Sequence, residues 1–280
     1  MPDPTDPSRL TMAIRNWVEA SYPAAVVRRF FDLELLDKSF VLAAQAFVAL
    51  LPLVIVVVSL FVADSGDTIA NAIGNRFGLD SAAQLALRAL FAHPTIATVN
   101  WLAVVVSLLS AFSLSRRLAR VYAAIFAVTP LPRKKNWHGL VWIVLQVALL
   151  VGASMLRDVR IGSGPVLAAV AFVALLVLWF VADMLGLLLL VPAAPRRMMA
   201  ASAVLSSLGR AGMAVWSFLY LSKSLERQAE QFGPIGVTFG IFTYLLVAAL
   251  VYVGAPLLVT TWQSWRAGTV PAVPTESVVE

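Results

Sequence analysis

The sequence predicts an all-α fold, a polytopic membrane helix bundle with about six transmembrane helices plus short amphipathic interfacial helices. Of the 280 residues, 60% are hydrophobic and only 13% are charged, about half the charged fraction of an ordinary soluble domain. The mean hydropathy is +0.87. Residues 40–63 carry no charged side chain, and this run is longer than the roughly 20 residues that cross a bilayer.

Six apolar stretches have the length of a membrane span. A hydropathy window of about 19 residues picks out each of them. They are 40–63, 96–114, 137–156, 165–191, 199–222 and 235–262. The chain therefore divides into an N-terminal arm with an amphipathic helix (1–39), a six-span transmembrane domain (40–262) and a flexible tail (263–280).

The positions of Lys and Arg predict the orientation of the bundle. With six spans both termini lie on one face, which carries 14 Lys and Arg residues against 6 on the other face. Because basic loops stay in the cytoplasm, both termini are predicted to be cytoplasmic. The basic loops, with Arg116, Arg117 and Arg120 in the second, are expected to contact anionic lipid. The net charge of +6 is spread over several loops, which disfavours nucleic acid as a partner. The sequence leaves open whether the chain forms a homo-oligomer.

Two stretches between the predicted spans are amphipathic. In 24–37, Val27, Phe30, Phe31 and Leu35 recur at helical spacing with charged residues between them, which predicts a helix on the cytoplasmic interface. In 80–93 a short capped helix is expected on the outer side. The segment 223–232 is expected to continue the fifth helix until Gly233 and Pro234 break it.

Two charged residues lie inside predicted spans, where each costs at least roughly 2.5–3.5 kcal/mol on insertion scales. Asp183 lies roughly 12 Å from the cytoplasmic end of the fourth span, and Arg210 roughly 16 Å from the same face in the fifth. The loop between these spans is short, so they should be antiparallel neighbours. The sequence therefore predicts a contact between Asp183 and Arg210. The pair either only neutralises itself and holds two helices together, or lines a polar cavity that binds or gates a solute.

Other polar and helix-breaking residues give weaker signals. Gln45 in the first span and Gln146 in the third can form hydrogen bonds between helices, as core contacts or as part of the same candidate intramembrane polar site. Pro52 lies in the first span. Gly233, Pro234, Gly236 and Gly240 lie at the outer end of the last span, and the GxxxG pattern of the last two favours close helix packing.

The sequence supplies little for enzyme chemistry, so we expect no enzyme, no metal site and no cofactor. It has no Cys and only two histidines, His93 and His138. Neither has a second His or a carboxylate at the spacing of metal ligands. His138 is expected to form a basic, aromatic interface with Trp137.

Three stretches resemble the YihY/BrkB family of bacterial inner-membrane proteins. They are LAAQAFVALLPLVIVVVSL, RLARVYAAIFAVTPLPRKKNWHGL and FGPIGVTFGIFTYLLVAALVYVGAPLL. The resemblance spans roughly residues 30–262. It implies a six-helix, multi-pass protein of the bacterial cytoplasmic membrane without an established molecular activity.

The chain departs from the family pattern in its last span. The family usually ends this span in Gly-Ala-Glu, where the chain has Gly254-Ala255-Pro256. A Trp that is often found in mid-span corresponds here to Thr243 or Tyr244. Some members carry the label ribonuclease BN, but metal-assisted phosphodiester cleavage needs clustered His and carboxylates on an aqueous face. The sequence instead favours a transporter-like protein that handles a lipid or another envelope solute, with a non-transporting scaffold for envelope partners as the alternative.

Overall fold

The computed structural model of the chain describes residues 21–61, 85, 101–132, 137–161 and 164–268. Within these ranges the backbone is helical and contains no strand, which confirms the all-α prediction for the described part of the chain. The helices are α1 Tyr22–Asp32, α2 Leu35–Phe61, α3 Trp101–Phe126, α4 Trp137–Ile161, α5 Pro165–Leu190, α6 Arg196–Trp216, α7 Ser222–Phe232 and α8 Pro234–Arg266. A short π-helical segment, Ser217–Leu221, joins α6 to α7.

Three helical stretches in the described residues are long and apolar enough to cross a membrane. They are Pro165–Leu190, Arg196–Leu221 and Ile235–Arg266. Helices α2, α3 and α4 have 27, 26 and 25 residues, which is the length of a span. The chain thus has the helices of a membrane protein, while the count of about six spans stays a prediction.

The apolar side chains of α5 face outward from the bundle. Its most hydrophobic window has a mean hydropathy of 2.7, yet only 11% of that window is buried. Val166, Val170, Val173 and Val177 are each more than half exposed. A soluble protein rarely exposes so continuous an apolar face, so this surface is suited to hydrocarbon.

The start of the second basic loop was predicted wrongly, because Arg116, Arg117 and Arg120 lie on α3, while the rest of its basic residues, 133–135, lie outside the described residues. The helix continues through them to Phe126, since no Pro or Gly interrupts it. It ends where Ala127 takes a positive φ of 52° and the Val128 amide donates to the Ala123 carbonyl at 2.9 Å, the backward bond of a Schellman motif.

The segment 24–37, which was predicted as one amphipathic helix on the cytoplasmic interface, is interrupted. Helix α1 stops at Asp32, and Glu34 has a φ of 50°, so the segment is two helices with a turn between them. Val27 and Phe31 are exposed, while the charged Arg29 is buried. The apolar side chains thus lie on the outside, and Arg29 turns inward because the bundle offers it polar partners.

Helix α8 occupies the centre of the bundle and packs against α1, α2, α3, α6 and α7. The buried core gathers at the end where α3 and α5 finish and α6 begins. It includes Leu35, Ile125, Leu190, Met199 and Leu257, each no more than 2% exposed. This is the end that the sequence assigns to the cytoplasm.

Several predicted boundaries hold closely, and others fall outside the described residues. Segment 223–232 does continue the fifth helix, as α7, and Gly233 breaks it with a φ of 60°. The ring of His138 stacks on that of Trp137 at 4.2 Å between centroids. The helix expected over 80–93 is outside the description apart from Leu85, as are His93 and the tail beyond residue 268.

Candidate functional site

The ion pair predicted between Asp183 and Arg210 is present. Arg210 Nη2 on α6 donates a hydrogen bond to Asp183 Oδ1 on α5. The two side chains are 13% and 5% exposed. The contact therefore lies inside the bundle rather than on its surface.

Helix geometry explains how these residues meet although Arg210 lies further from the connecting loop. Asp183 is seven residues before the end of α5, and Arg210 is fourteen residues after the start of α6. Side chains on a helix lean toward its N-terminus, and the N-terminus of α6 is at the loop. The long Arg210 side chain therefore extends back toward the level of Asp183.

Two further helices contribute to the same polar cluster. Arg210 Nη2 also donates to the Tyr252 hydroxyl of α8, and its guanidinium carbon lies 4.5 Å from the Tyr252 ring centroid. The Tyr252 hydroxyl in turn donates to Gln146 Oε1 of α4 at 3.3 Å. Asp183, Arg210, Tyr252 and Gln146 thus form one network, called here the polar cluster, which connects α4, α5, α6 and α8.

Sequence reasoning missed Tyr252. Its signal was its position four residues before Pro256 in an otherwise apolar helix, which places both residues on one helical face. Because proline has no amide hydrogen, Pro256 cannot donate to the carbonyl of Tyr252 as a residue in a regular helix would. Tyr252 and Pro256 both line the cavity described next.

A small cavity lies beside the polar cluster. Its volume is about 10 Å³, about the least that can hold one water molecule. The polar side chains in its wall include those of Tyr122, Trp142, Asp183, Ser206 and Tyr252. This volume is far below the roughly 300–1,000 Å³ of a typical small-molecule pocket, so in the described conformation the site is closed.

Three buried polar atoms of the cluster have no hydrogen-bond partner among the described residues. They are Asp183 Oδ2, Arg210 Nε and Gln146 Nε2. A buried unsatisfied group costs about 1–3 kcal/mol, and more when it is charged. A purely structural ion pair would leave fewer buried polar atoms without hydrogen-bond partners than this cluster does.

Gln45 is not part of this cluster. Gln45 Nε2 on α2 instead donates to Ser113 Oγ on α3 at 3.3 Å. This bond between two helices is the core-contact alternative of the prediction, and the sequence could not decide between the alternatives because it does not show which helices are neighbours. Pro52 lies within α2.

The glycines at the start of α8 allow α7 to fold back closely on it. A Cβ built on Gly236 would lie 2.1 Å from the Gln228 carbonyl oxygen, and one on Gly240 would lie 2.1 Å from a Leu225 methyl carbon. Gly233 supplies the positive φ of the turn, and Pro234 starts α8. These residues serve packing between α7 and α8 and lie outside the polar cluster.

A second buried polar contact attaches α1 to the bundle. Arg29 Nη1 donates to the Thr260 and Thr261 hydroxyls at 3.1 and 3.3 Å. Arg29 Nη2 donates to the Ile125 carbonyl at 2.7 Å, one of the last carbonyls of α3, where a cation also meets the favourable end of the helix dipole. Burial lowers the pKa of the guanidinium, although arginine keeps its charge in proteins.

Among the described residues, no group of three or more His, Cys, Asp or Glu side chains could hold a metal ion. Comparison with known proteins finds no matching family model, no similar curated protein and no similar solved structure. The function of the site is therefore inferred from the chemistry of its own residues.

Proposed function

We propose that this chain is a multi-pass protein of the bacterial cytoplasmic membrane that handles a solute or lipid headgroup at the Asp183–Arg210 pair. In this proposal the chain has six spans and cytoplasmic termini, and its basic cytoplasmic end contacts anionic lipid. The resemblance to the YihY/BrkB family supports this location. No catalytic step is assigned to the chain.

One observation carries the proposal: a buried ion pair with unsatisfied polar atoms at the junction of four helices. A buried ion pair is weak evidence for stability, because apolar residues of similar volume often serve as well or better. Ionisable residues inside spans commonly mark solute or ion pathways. The unpaired atoms of Asp183, Arg210 and Gln146 supply donors and an acceptor for an incoming polar group.

Solute handling requires a second conformation, because the cavity of about 10 Å³ holds little more than one water. Helices α5, α6 and α8 would have to separate beside the pair. The closed conformation is the specific observation in favour of the alternative, a non-transporting scaffold. In that alternative the exposed Arg196 and Arg197 at the start of α6 recruit envelope partners or anionic lipid.

Cysteine accessibility distinguishes these two functions, and the chain has no native Cys. Ser206→Cys places a thiol in the cavity wall. Arg197→Cys gives an exposed control at the start of the same helix, and Met199→Cys gives a control that is 0% exposed. Each variant in sealed vesicles is treated with a charged, membrane-impermeant thiol reagent from either side.

Solute handling predicts that the Ser206→Cys thiol reacts more slowly than Arg197→Cys but clearly faster than Met199→Cys. It also predicts that the reaction depends on the side of addition, because the cavity opens to one side at a time. A rate equal to that of Met199→Cys from both sides would reject solute handling and favour the scaffold.

A further inference from the structure

The cavity beside the polar cluster has the features of a specific binding site for a very small molecule. Its wall includes Asp183, and one carboxylate oxygen of that residue, Oδ2, is buried and has no hydrogen-bond partner among the described residues. The Asp183 side chain is 5% exposed. An ionised oxygen in this position is strongly favoured to accept a hydrogen bond.

The volume of the cavity limits what can bind. At about 10 Å³ it admits one water-sized species and excludes a phosphate, a carboxylate or a sugar. A water in a protein interior needs two to four polar partners. Besides Asp183, the residues of the wall include Tyr122, Ser206 and Tyr252, which carry hydroxyls, and Trp142, which carries an indole N–H, so the wall supplies residues of the kind that hold a buried water.

The charges around the cavity favour a neutral ligand. The Asp183 carboxylate already pairs with the Arg210 guanidinium, so their formal charges cancel. A sodium or ammonium ion in the cavity would leave one net positive charge in a medium of low polarity, where each desolvated ion costs several kcal/mol. Water adds no charge and can donate to Asp183 Oδ2.

We propose that this cavity binds one water molecule, which donates a hydrogen bond to Asp183 Oδ2 and is held by the hydroxyls in the cavity wall. The water completes the coordination of the buried carboxylate and connects the ion pair to α3, the helix that carries Tyr122. This site does not depend on solute handling, because a scaffold with the same ion pair would need the same water.

The test is a structure of the full-length protein in lipid nanodiscs at a resolution that shows ordered water. The expected result is a density peak within about 3.2 Å of Asp183 Oδ2, with the same height when sodium is replaced by thallium. The peak should persist in Ser206→Ala, which leaves the space open, and disappear in Ser206→Val, which fills it. The absence of a peak in the wild-type protein, or a peak that becomes clearly higher when thallium replaces sodium, would overturn the proposal.

Thermal stability gives a second measurement that does not depend on the variants. The Tm of the wild-type protein should be equal in sodium chloride and in choline chloride at the same ionic strength, because a water site has no cation to lose. A Tm that rises with sodium alone would identify the ligand as a cation and contradict the water site.

Discussion

At the scale of single residues, the polar cluster shows how an antiparallel pair of helices can place opposite charges together. The sequence predicted the contact between Asp183 and Arg210 because the loop between their helices is short. It did not identify Tyr252, whose place in the polar cluster depends on the packing of α8 against α6. It left two alternatives open for Gln45, because every apolar helix offers several faces and packing decides which helices are neighbours.

The ion pair should respond asymmetrically to substitution. Asp183→Leu leaves the Arg210 charge buried and unpaired, and we expect it to destabilise the protein by about 3–5 kcal/mol. The double variant Asp183→Leu with Arg210→Met removes both charges and should recover most of that loss. The measurement is the Tm and the membrane abundance of each variant.

The double variant also separates structure from function. If it regains abundance, lipid and metabolite profiles of a deletion strain that expresses it report on the role of the charges. Solute handling predicts that the profile stays that of the deletion strain, whereas a scaffold predicts the wild-type profile. A double variant no more stable than Asp183→Leu would show that the two charges are not energetically coupled.

At the scale of helices, the sequence predicted lengths better than ends. Helix α5 and the extension α7 fall close to their predicted boundaries, because Pro165 begins the first and Gly233 ends the second. Helix α3 runs past its predicted end, because charged residues lower the hydropathy of a segment without ending a helix. The inward position of Arg29 on α1 was not predicted, because its partners lie far away in sequence, at Ile125 and Thr260.

The contact between α7 and α8 should depend on Gly236. We expect Gly236→Ala to destabilise the protein by about 1–3 kcal/mol, because its Cβ would meet the Gln228 carbonyl at 2.1 Å and backbone cannot rotate away. Gly254→Ala on the same helix is the matched control. It has open space around its Cβ and should be neutral or stabilising by up to about 1 kcal/mol.

Thermal unfolding in one detergent measures both glycine variants. Equal Tm values for Gly236→Ala and Gly254→Ala would show that α7 does not pack closely on α8.

Helix α1 should lie at the membrane surface with Val27 and Phe31 toward lipid. Its inner side is fixed by Arg29 and by the Tyr22 hydroxyl, which donates to the Leu258 carbonyl at 3.0 Å. Phe31 is 65% exposed, and at the other end of α1 the Tyr22 ring packs against Trp262 and Trp265, as expected for an aromatic belt.

Spin labels measure the depth of this helix. In nanodiscs, a nitroxide at Phe31→Cys should collide more with oxygen than with a water-soluble nickel complex, because oxygen concentrates in hydrocarbon. The adjacent Asp32→Cys is the control and should show the reverse preference. Nickel accessibility as high at Phe31→Cys as at Asp32→Cys would place α1 in water, away from the bilayer.

At the scale of the whole molecule, the chain has more apolar residues than its interior can bury. The buried core lies at one end of the bundle, while the valines of α5 remain exposed along most of its length. Composition predicted this at once, since 60% hydrophobic residues exceed what one core can bury. The interior cavity depends on the relative positions of five helices, which composition cannot specify.

The central claim is that lipid hydrocarbon, and not water, surrounds this outer surface. Extraction of the full-length protein tests it most directly. We expect the protein to stay in the membrane pellet through an alkaline carbonate wash and to enter solution only with detergent, because the α5 surface needs an apolar environment. A stable monomer that purifies in buffer alone would contradict the account.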